Sequence, residues 1–447
     1  MTRQGWPGLS AVMTGSGRRV GWGLAGQALS SLTNFFVGII VARSVGLDEF
    51  GAYALAFSAY CLVLGVSRAL TTEPFAVRFS AGKDAGARHA LASASGTALL
   101  IGFGAGVVAV GAAFMFLPQH RELVLVLAVV LPGIILQDAW RMLFFAVGRG
   151  RDAFLNDLVW AVLLVPAFWI DFLDGEVSAA SLTLAWGCAG TAAGIYGAVQ
   201  FRGLPGFAAA GKWLRDNKRL WPRYLCEGLA VNGSQQIYML ALAGLTSLAA
   251  VGALKLVLVV LGPVNVLAQG IGAVAVPEAA RARLQSRSRL TATAAAFSVV
   301  IAGGALAWGT AMMLMPAGWI AAAAGNGWPA AAALLVPVVL SQVFNGANTG
   351  PVAGLRAMAE AKRSMWTRIC SSTLVVLAVL GGAVAAGISG AAWGLAAAAA
   401  VNTVHWMVQY RLAGRTNPEP AQQTTERMDA RRVATSAPTR GRGKTHV

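Results

Sequence analysis

The sequence predicts an all-α polytopic membrane protein, with about twelve transmembrane helices in two six-helix bundles related by a parallel repeat. Three observations predict it. Of 447 residues, 57% are hydrophobic and 12% charged, half the roughly 25% charge of a soluble domain, and the mean hydropathy is +0.63. Runs of about 20 apolar residues, the length that crosses a bilayer as a helix, recur along the whole chain. Lysine and arginine cluster at every second connection between those runs.

The first hairpin sets the reading. In "SLTNFFVGIIVARSVGLDEFGAYALAFSAY" apolar runs flank Arg43, Asp48 and Glu49. Three charges in hydrocarbon cost several kcal/mol each, so residues 43–49 form a turn outside the bilayer. The same reasoning gives spans at 20–42, 50–70, 91–117, 122–147, 153–172, 178–200, 222–246, 249–275, 291–316, 329–350, 366–387 and 390–410. β-Barrel strands are excluded, because those alternate and run about 9–11 residues. The first apolar run is too long for a cleaved signal peptide, and no short apolar segment with a small-residue cleavage site precedes it. Cys61, Cys188, Cys226 and Cys370 all fall within spans and read as small buried apolar side chains.

The net charge of +17 is placed asymmetrically. Counting those at helix ends on that side, all lysines and arginines except Arg43, Arg121 and Lys255 belong before the first span, to the connections after spans 2, 4, 6, 8 and 10, or to the tail. This positive-inside pattern predicts cytoplasmic N- and C-termini. The predicted organisation is a cytoplasmic segment 1–19, a bundle 20–201, a basic linker 202–221, a bundle 222–410 and a disordered basic cytoplasmic tail 411–447. The tail lacks an apolar face and suits contact with anionic membrane lipid better than with nucleic acid.

Two halves overlay. "VLPGIILQDAWRMLFFAVGRGR" (130–151) resembles "LVPVVLSQVFNGANTGPVAGLR" (335–356), matching Pro132 with Pro337, Gln137 with Gln342 and Arg151 with Arg356. "FGAYALAF" (50–57) likewise resembles "VGALKLVL" (251–258). Six spans per half is even, so the halves share one orientation about an axis along the membrane normal, a plan that lets an interfacial site open alternately to either side.

"GQALSSLTNFFVGIIVARSVGLDEFGAYALA" resembles the first hairpin of the polysaccharide and oligosaccharide-lipid flippases of the multidrug/oligosaccharidyl-lipid/polysaccharide exporter superfamily. The resemblance rests on Gln27, Asn34, Ala42-Arg43, Gly46 and Phe50-Gly51, and extends to "RALTTEPFAVRF" (68–79). It implies a central cavity and movement of a lipid-linked oligosaccharide or polysaccharide precursor across the plasma membrane, from the cytoplasmic to the outer leaflet, by alternating access. Membrane lipids, the lipid-linked glycan, and glycosyltransferases or a polymerase of the same pathway are the implied partners. Lipid II flippases, relatives with two further helices, fit the chain length less well.

A lipid-linked sugar carries a diphosphate and many hydroxyls, so its cavity needs cations and amides. Lys255 is the full charge inside a span, a cavity cation or one snorkelling to the outer interface. Arg43 is a headgroup contact or an interfacial partner of Asp48 or Glu49. Gln27, Asn34, Gln235, Gln236, Asn265, Gln269, Gln342 and Asn345 are amides that glue helices singly and suit a sugar-lined cavity as a set. Gln235 and Gln236 cannot share a helix face. Arg68 and Glu73 form a gate pair or ordinary interfacial charges; Asp138 and Arg141, three apart, form a self-satisfied pair or an ion relay. Pro132, Pro166, Pro263 and Pro337 are expected to kink their spans.

No carboxylate falls near the centre of a predicted span, and drug exporters of the same superfamily often use buried acids, so a glycan substrate fits better than a drug. The coupling ion stays open. A multidrug or small-solute carrier is the transporter alternative; the loop that marks major-facilitator carriers finds only a loose echo in "AGKDAGARHA" (81–90). A membrane-embedded glycan-modifying enzyme is the alternative of a different class, but "DFLDGEVS" (171–178), the most acidic outer connection, has no metal or sugar-nucleotide spacing. No P-loop occurs, and His89, His120, His405 and His446 are scattered, so neither cofactor nor metal is expected.

Overall fold

The computed structural model describes residues 9–79, 85–116, 118–175 and 177–416. Residues 1–8 of the predicted N-terminal segment, residues 80–84, which include the start of the 81–90 loop compared above, residue 176 of the 171–178 connection and 417–447 of the predicted tail lie outside the described residues. The described chain is a succession of helices without a strand, many of them long and apolar.

Six long helices open it: α1 (Leu9–Ser44), α2 (Leu47–Leu70) with a short α3 (Thr72–Phe79), α4 (Ala85–Phe116), α5 (Arg121–Ala146), α6 (Gly150–Asp174) and α7 (Ala179–Phe201). After α8 (Ala210–Asp216) the chain re-enters through α9 (Trp221–Gly228), a π-helical turn at Leu229–Gly233 and α10 (Ser234–Leu245). There follow α11 (Leu248–Val260) with α12 (Gly262–Gln285), α13 (Arg287–Leu314), the short α14 (Ala317–Ala324) and α15 (Trp328–Ala332), α16 (Leu335–Ala347) with α17 (Thr349–Ala357), and α18 (Ala361–Thr416). Among the described residues eight helices are long and apolar enough to cross a membrane, nine if α11 and α12, bent by 53°, count as one broken span. α18 is two helices merged across non-helical Ala386 and Gly387, where Gly387 has φ +61°. The predicted division between 387 and 390 falls there. The remaining predicted spans correspond to α9–α10 and α16–α17, each interrupted so that no single piece is long enough to cross alone, and twelve crossings accommodate the chain.

Several boundaries differ from the sequence reading. The first turn is only Val45–Gly46, and Asp48 and Glu49 lie in the first turn of α2, where the helix dipole favours anions. α1 begins at Leu9, helices α8 and α14 occupy connections between predicted spans, and α15 opens the predicted tenth span. The kink expected at Pro263 is present: the eighth span bends at Leu261, two residues before that proline in the first turn of α12. Three of the four cysteines, Cys188, Cys226 and Cys370, are exposed rather than buried, so they face the surroundings of the bundle; Cys61 is partly buried.

Helices α3 and α8 and the connections after α5, α12 and α17 form the basic end of the described residues. Arg78 hydrogen-bonds Asn217 there at 2.9 Å, and Trp213 of α8 donates to the Leu70 carbonyl at 2.9 Å. At the opposite end Glu49 accepts from the Ala179 amide at the start of α7 (2.5 Å), and Asp48 from the Ala249 amide at the start of α11 (3.2 Å). Those acids cap neighbouring helices rather than pair with Arg43.

Packing gives the molecule its shape. One hydrophobic cluster runs through both halves at the end opposite the basic one, joining Val41, Phe50, Tyr53 and Ile134 to Tyr238, Leu254, Val257, Trp328 and Val338. At the basic end there are two separate clusters. One holds Phe75, Trp140, Phe144 and Trp213; the other holds Leu290, Leu355 and Trp406. The halves are therefore fused at one end and part toward the other.

The fused seam turns on two glycines that the repeat makes equivalent. A Cβ on Gly51 would strike the Leu248 carbonyl, and one on Gly252 would strike the Leu47 carbonyl. Leu47 and Leu248 are repeat mates as well, so α2 and α11 cross reciprocally, backbone to backbone, as only small residues allow.

Candidate functional site

Where the halves part they enclose polar space. A first cavity of about 480 Å³ lies among α1, α2, α5, α6, α11 and α12, lined by Gln27, Asn34, Arg68, Asp138, Arg141 and Lys255 among others. A second of about 450 Å³ lies among α10, α12 and α16–α18, lined by Gln235, Asn345, Arg356, Arg368 and Asn402. A smaller space of about 190 Å³ shares Lys255 and Asn265 with the first and Gln235, Tyr238 and Asn345 with the second, so the three form one chamber across the molecule.

The first cavity rests on a four-charge network. Arg68 of α2 grips Asp138 of α5 with both arms, at 2.8 and 2.6 Å, a bidentate geometry that fixes direction as well as charge. Arg141, one turn on from Asp138, is 3.8 Å from it and 3.3 Å from Asp157 of α6. The Arg141–Asp157 pair meets at an angle too poor for a hydrogen bond, leaving Arg141 Nε and Asp157 Oδ2 paired by charge alone. Gln137 donates to Asn156 and Asp157, each at 3.0 Å, and Arg141 donates to Gln27 at 3.2 Å. Four helices are thus tied at the chamber floor.

Asp138 and Arg141 are therefore not a self-satisfied pair: each has its main partner on another helix. Arg68 pairs with Asp138, not Glu73, because α2 ends at Leu70 and Glu73 opens the separate helix α3. Asp138 lines the first cavity and Asp157 lies beside it, both at the floor rather than at the span centres, and both are matched by arginine.

Lys255 differs. It lines both the first cavity and the connecting space, about two turns into α11 from the fused end. Among the described residues no carboxylate lies within ion-pair distance of it, and its ammonium sits 4.6 Å from the centre of the Phe57 ring. A cation over an aromatic face gains about 2 kcal/mol when desolvated, less than the hydration it gives up. Its repeat mate is Ala54, so the charge breaks the symmetry of the α2–α11 pair.

The second cavity is also basic. Arg356 and Arg368 line it, Arg368 lying 5.2 Å over Trp406, with exposed Glu227 close enough to interact electrostatically. Asn348, Ser371 and Asn402 line it too, and each carries a buried oxygen with no protein hydrogen-bond partner. Tyr53, Phe57, Tyr60 and Trp160 add aromatic surface to the first cavity.

Most amides singled out from sequence border this chamber: Gln27, Asn34, Asn265 and Gln269 the first cavity, Gln235 and Asn345 the second, and Gln342 the connecting space. Gln27 also hydrogen-bonds Gln269, joining α1 to α12. Gln236 does not border the chamber, since its neighbour Gln235 takes the facing side of α10. Arg43 stands exposed at the end of α1, away from it. Asp157, Arg356 and Arg368 are the site charges that sequence reasoning missed. Arg356 was visible only as the repeat mate of Arg151, and Arg368 only as a cation at a helix end.

No protein-family model matches the chain, and no curated protein matches it by sequence. Solved structures do. The chain resembles the inward-facing conformation of a multidrug resistance MATE family transporter of the MOP superfamily, with TM-score 0.69 and 15% identity over 87% of this chain and 96% of that one. It resembles the lipid II flippase MurJ in an inward closed conformation, with TM-score 0.68 and 10% identity over 88% and 87%. It also resembles the MATE multidrug transporter DinF-BH, with TM-score 0.63 and 14% identity over 93% and 98%. At these identities the likeness establishes a fold shared with these transporters.

Proposed function

We propose that the chain is a flippase of the cell membrane that moves a lipid-linked oligosaccharide or polysaccharide precursor from the cytoplasmic to the outer leaflet. The observation that carries this reading is the charge of the chamber: Lys255, Arg356 and Arg368 line it without a matching carboxylate among the lining residues. A diphosphate leaving water needs fixed cations to replace its hydration, whereas a cationic drug would be repelled. Amide side chains and aromatic faces suit the hydroxyls and ring faces of sugars. The fold is shared with a lipid II flippase and with multidrug transporters, so the lining, not the fold, favours a lipid-linked anion.

The positive-inside pattern supports a cytoplasmic side for the basic end and for both termini. In that orientation the halves are closed outside and part inside, which supports loading from the cytoplasmic leaflet. Glycosyltransferases and a polymerase of the same pathway would supply and consume the cargo. Asp138 and Asp157 are held by arginines, so the reading assigns them to positioning the floor, with membrane potential or a sodium ion driving the cycle.

The test is reconstitution. Proteoliposomes carrying the protein should move a fluorescent polyprenyl-diphosphate oligosaccharide between leaflets faster than protein-free vesicles and leave a cationic rhodamine dye untransported. Flipping no faster than in protein-free vesicles, or export of the cationic dye instead, overturns the proposal. In cells, deletion should leave lipid-linked glycan accumulating on the cytoplasmic leaflet.

A further inference from the structure

A third large cavity, about 470 Å³, lies outside the chamber at the basic end, between α12, α13, α17 and α18. Three arginines, Arg283, Arg287 and Arg411, stand among its lining residues, and no carboxylate does. The rest of its wall is mostly apolar, including Leu290, Val299 and Met407. Arg283 is held in place by donating to the Ala357 carbonyl at 2.8 Å, and Arg287 lies across the backbone at Gly414 of α18.

The surrounding surface is apolar too. Val299, Val300, Val408 and Leu412 are exposed on the outer faces of α13 and α18. A cavity with cations at the basic rim and an apolar wall running toward the bilayer interior has the polarity of one lipid molecule standing in a leaflet. Each arginine near the basic surface also attracts anionic lipid.

α17 separates this cavity from the chamber. Pro351 faces the outlying cavity, while Val352 and Arg356 line the chamber. The helix is short and breaks from α16 at Asn348, where Ser298 of α13 bridges the gap by donating to the Ala347 carbonyl (2.7 Å) and accepting from the Gly350 amide (3.1 Å). Ser298 lines the outlying cavity as well.

We propose that this cavity binds an anionic glycerophospholipid of the leaflet on the basic side. Its phosphate sits on Arg283, Arg287 and Arg411, and an acyl chain lies along Leu290, Val299 and Met407. The bound lipid buttresses α17 and so holds Arg356 in the chamber wall. The site is distinct from the transport path and does not depend on which substrate the chamber takes.

The experiment is native mass spectrometry of the full chain after equilibration with equal amounts of phosphatidylglycerol and phosphatidylcholine. The wild type should retain phosphatidylglycerol preferentially. Arg287→Ala/Arg411→Ala should lower that preference about tenfold, while Arg215→Ala/Arg219→Ala, which removes as much charge from the linker, should leave it intact. Ala295→Trp keeps every cation but fills the cavity, and should expel the retained lipid. The proposal is overturned if the Arg287/Arg411 variant or the tryptophan variant retains phosphatidylglycerol like the wild type. It is equally overturned if the linker variant loses it, or if polyprenyl phosphate displaces it at equal concentration, which would give the cavity to the transported lipid.

Discussion

At the scale of single residues, matched and unmatched charges do different work. Arg68 and Asp138 satisfy each other, and removing one member strands a buried partner. Asp138→Ala should therefore lower stability by about 3 kcal/mol. Arg68→Met/Asp138→Leu should recover most of the loss, because an apolar pair needs no compensation. Chemical denaturation in detergent checks both, and an unchanged Asp138→Ala midpoint would remove the network from the structural account. Lys255 has no such partner, so Lys255→Met should leave the melting temperature equal or higher. A drop of several degrees would show that Lys255 is structural. The sequence displayed these residues but not their pairing. Asp138 and Arg141 are one helical turn apart, which made a local pair the natural reading. Their true partners are 70 residues upstream and 16 downstream along the chain, and only the packing of α2, α5 and α6 brings them near.

At the scale of elements, hydropathy located the membrane helices because the bilayer penalises every exposed peptide group and every charge. It was silent on breaks inside helices. The π-turn at Leu229–Gly233 carries no proline and left no sequence signal, whereas the bend at Leu261 lies two residues before Pro263, which was expected to kink this span. Gly387 was legible, since a residue at φ +61° between two apolar runs is a usual glycine position. The α2–α11 crossing shows what a glycine does when packing requires it. Gly252→Ala should destabilise the protein by more than about 1 kcal/mol, roughly the whole helix-propensity gain alanine offers. Gly244→Ala, one helix earlier with nothing within 4 Å of the added methyl, should be neutral or stabilising. Thermal unfolding of the two variants side by side checks the contrast, and equal melting temperatures would contradict the reciprocal crossing.

At the scale of the whole molecule, one shared core and two separate ones make a body joined at one end and parted at the other. The alternation of charge foretold which connections share an end, because a bilayer sorts lysine and arginine by side. It could not foretell which faces of the two bundles look inward, since the crossing angle of α2 and α11 decides that. Two labelling experiments follow. Cysteines at 178 and 212 should be modified from opposite sides of the membrane, as the two ends of α7 and its linker stand at opposite ends of the molecule; modification from one side alone would dismantle the topology. With Cys188, Cys226 and Cys370 replaced by serine, native Cys61, which lines the first cavity, should react with a charged thiol reagent from the cytoplasmic side and be protected by substrate. Reaction unaffected by substrate would separate the cavity from transport.

The central claim is that an unmatched cation in the chamber receives the anionic headgroup of a lipid-linked glycan. Initial flipping rates of a polyprenyl-diphosphate oligosaccharide, in proteoliposomes holding equal amounts of wild type and Lys255→Ala, test it most directly. Loss of the charge-assisted contact should slow the variant about tenfold or more, with Lys255→Arg retaining a substantial part of the rate. Equal rates for wild type and Lys255→Ala would contradict the account.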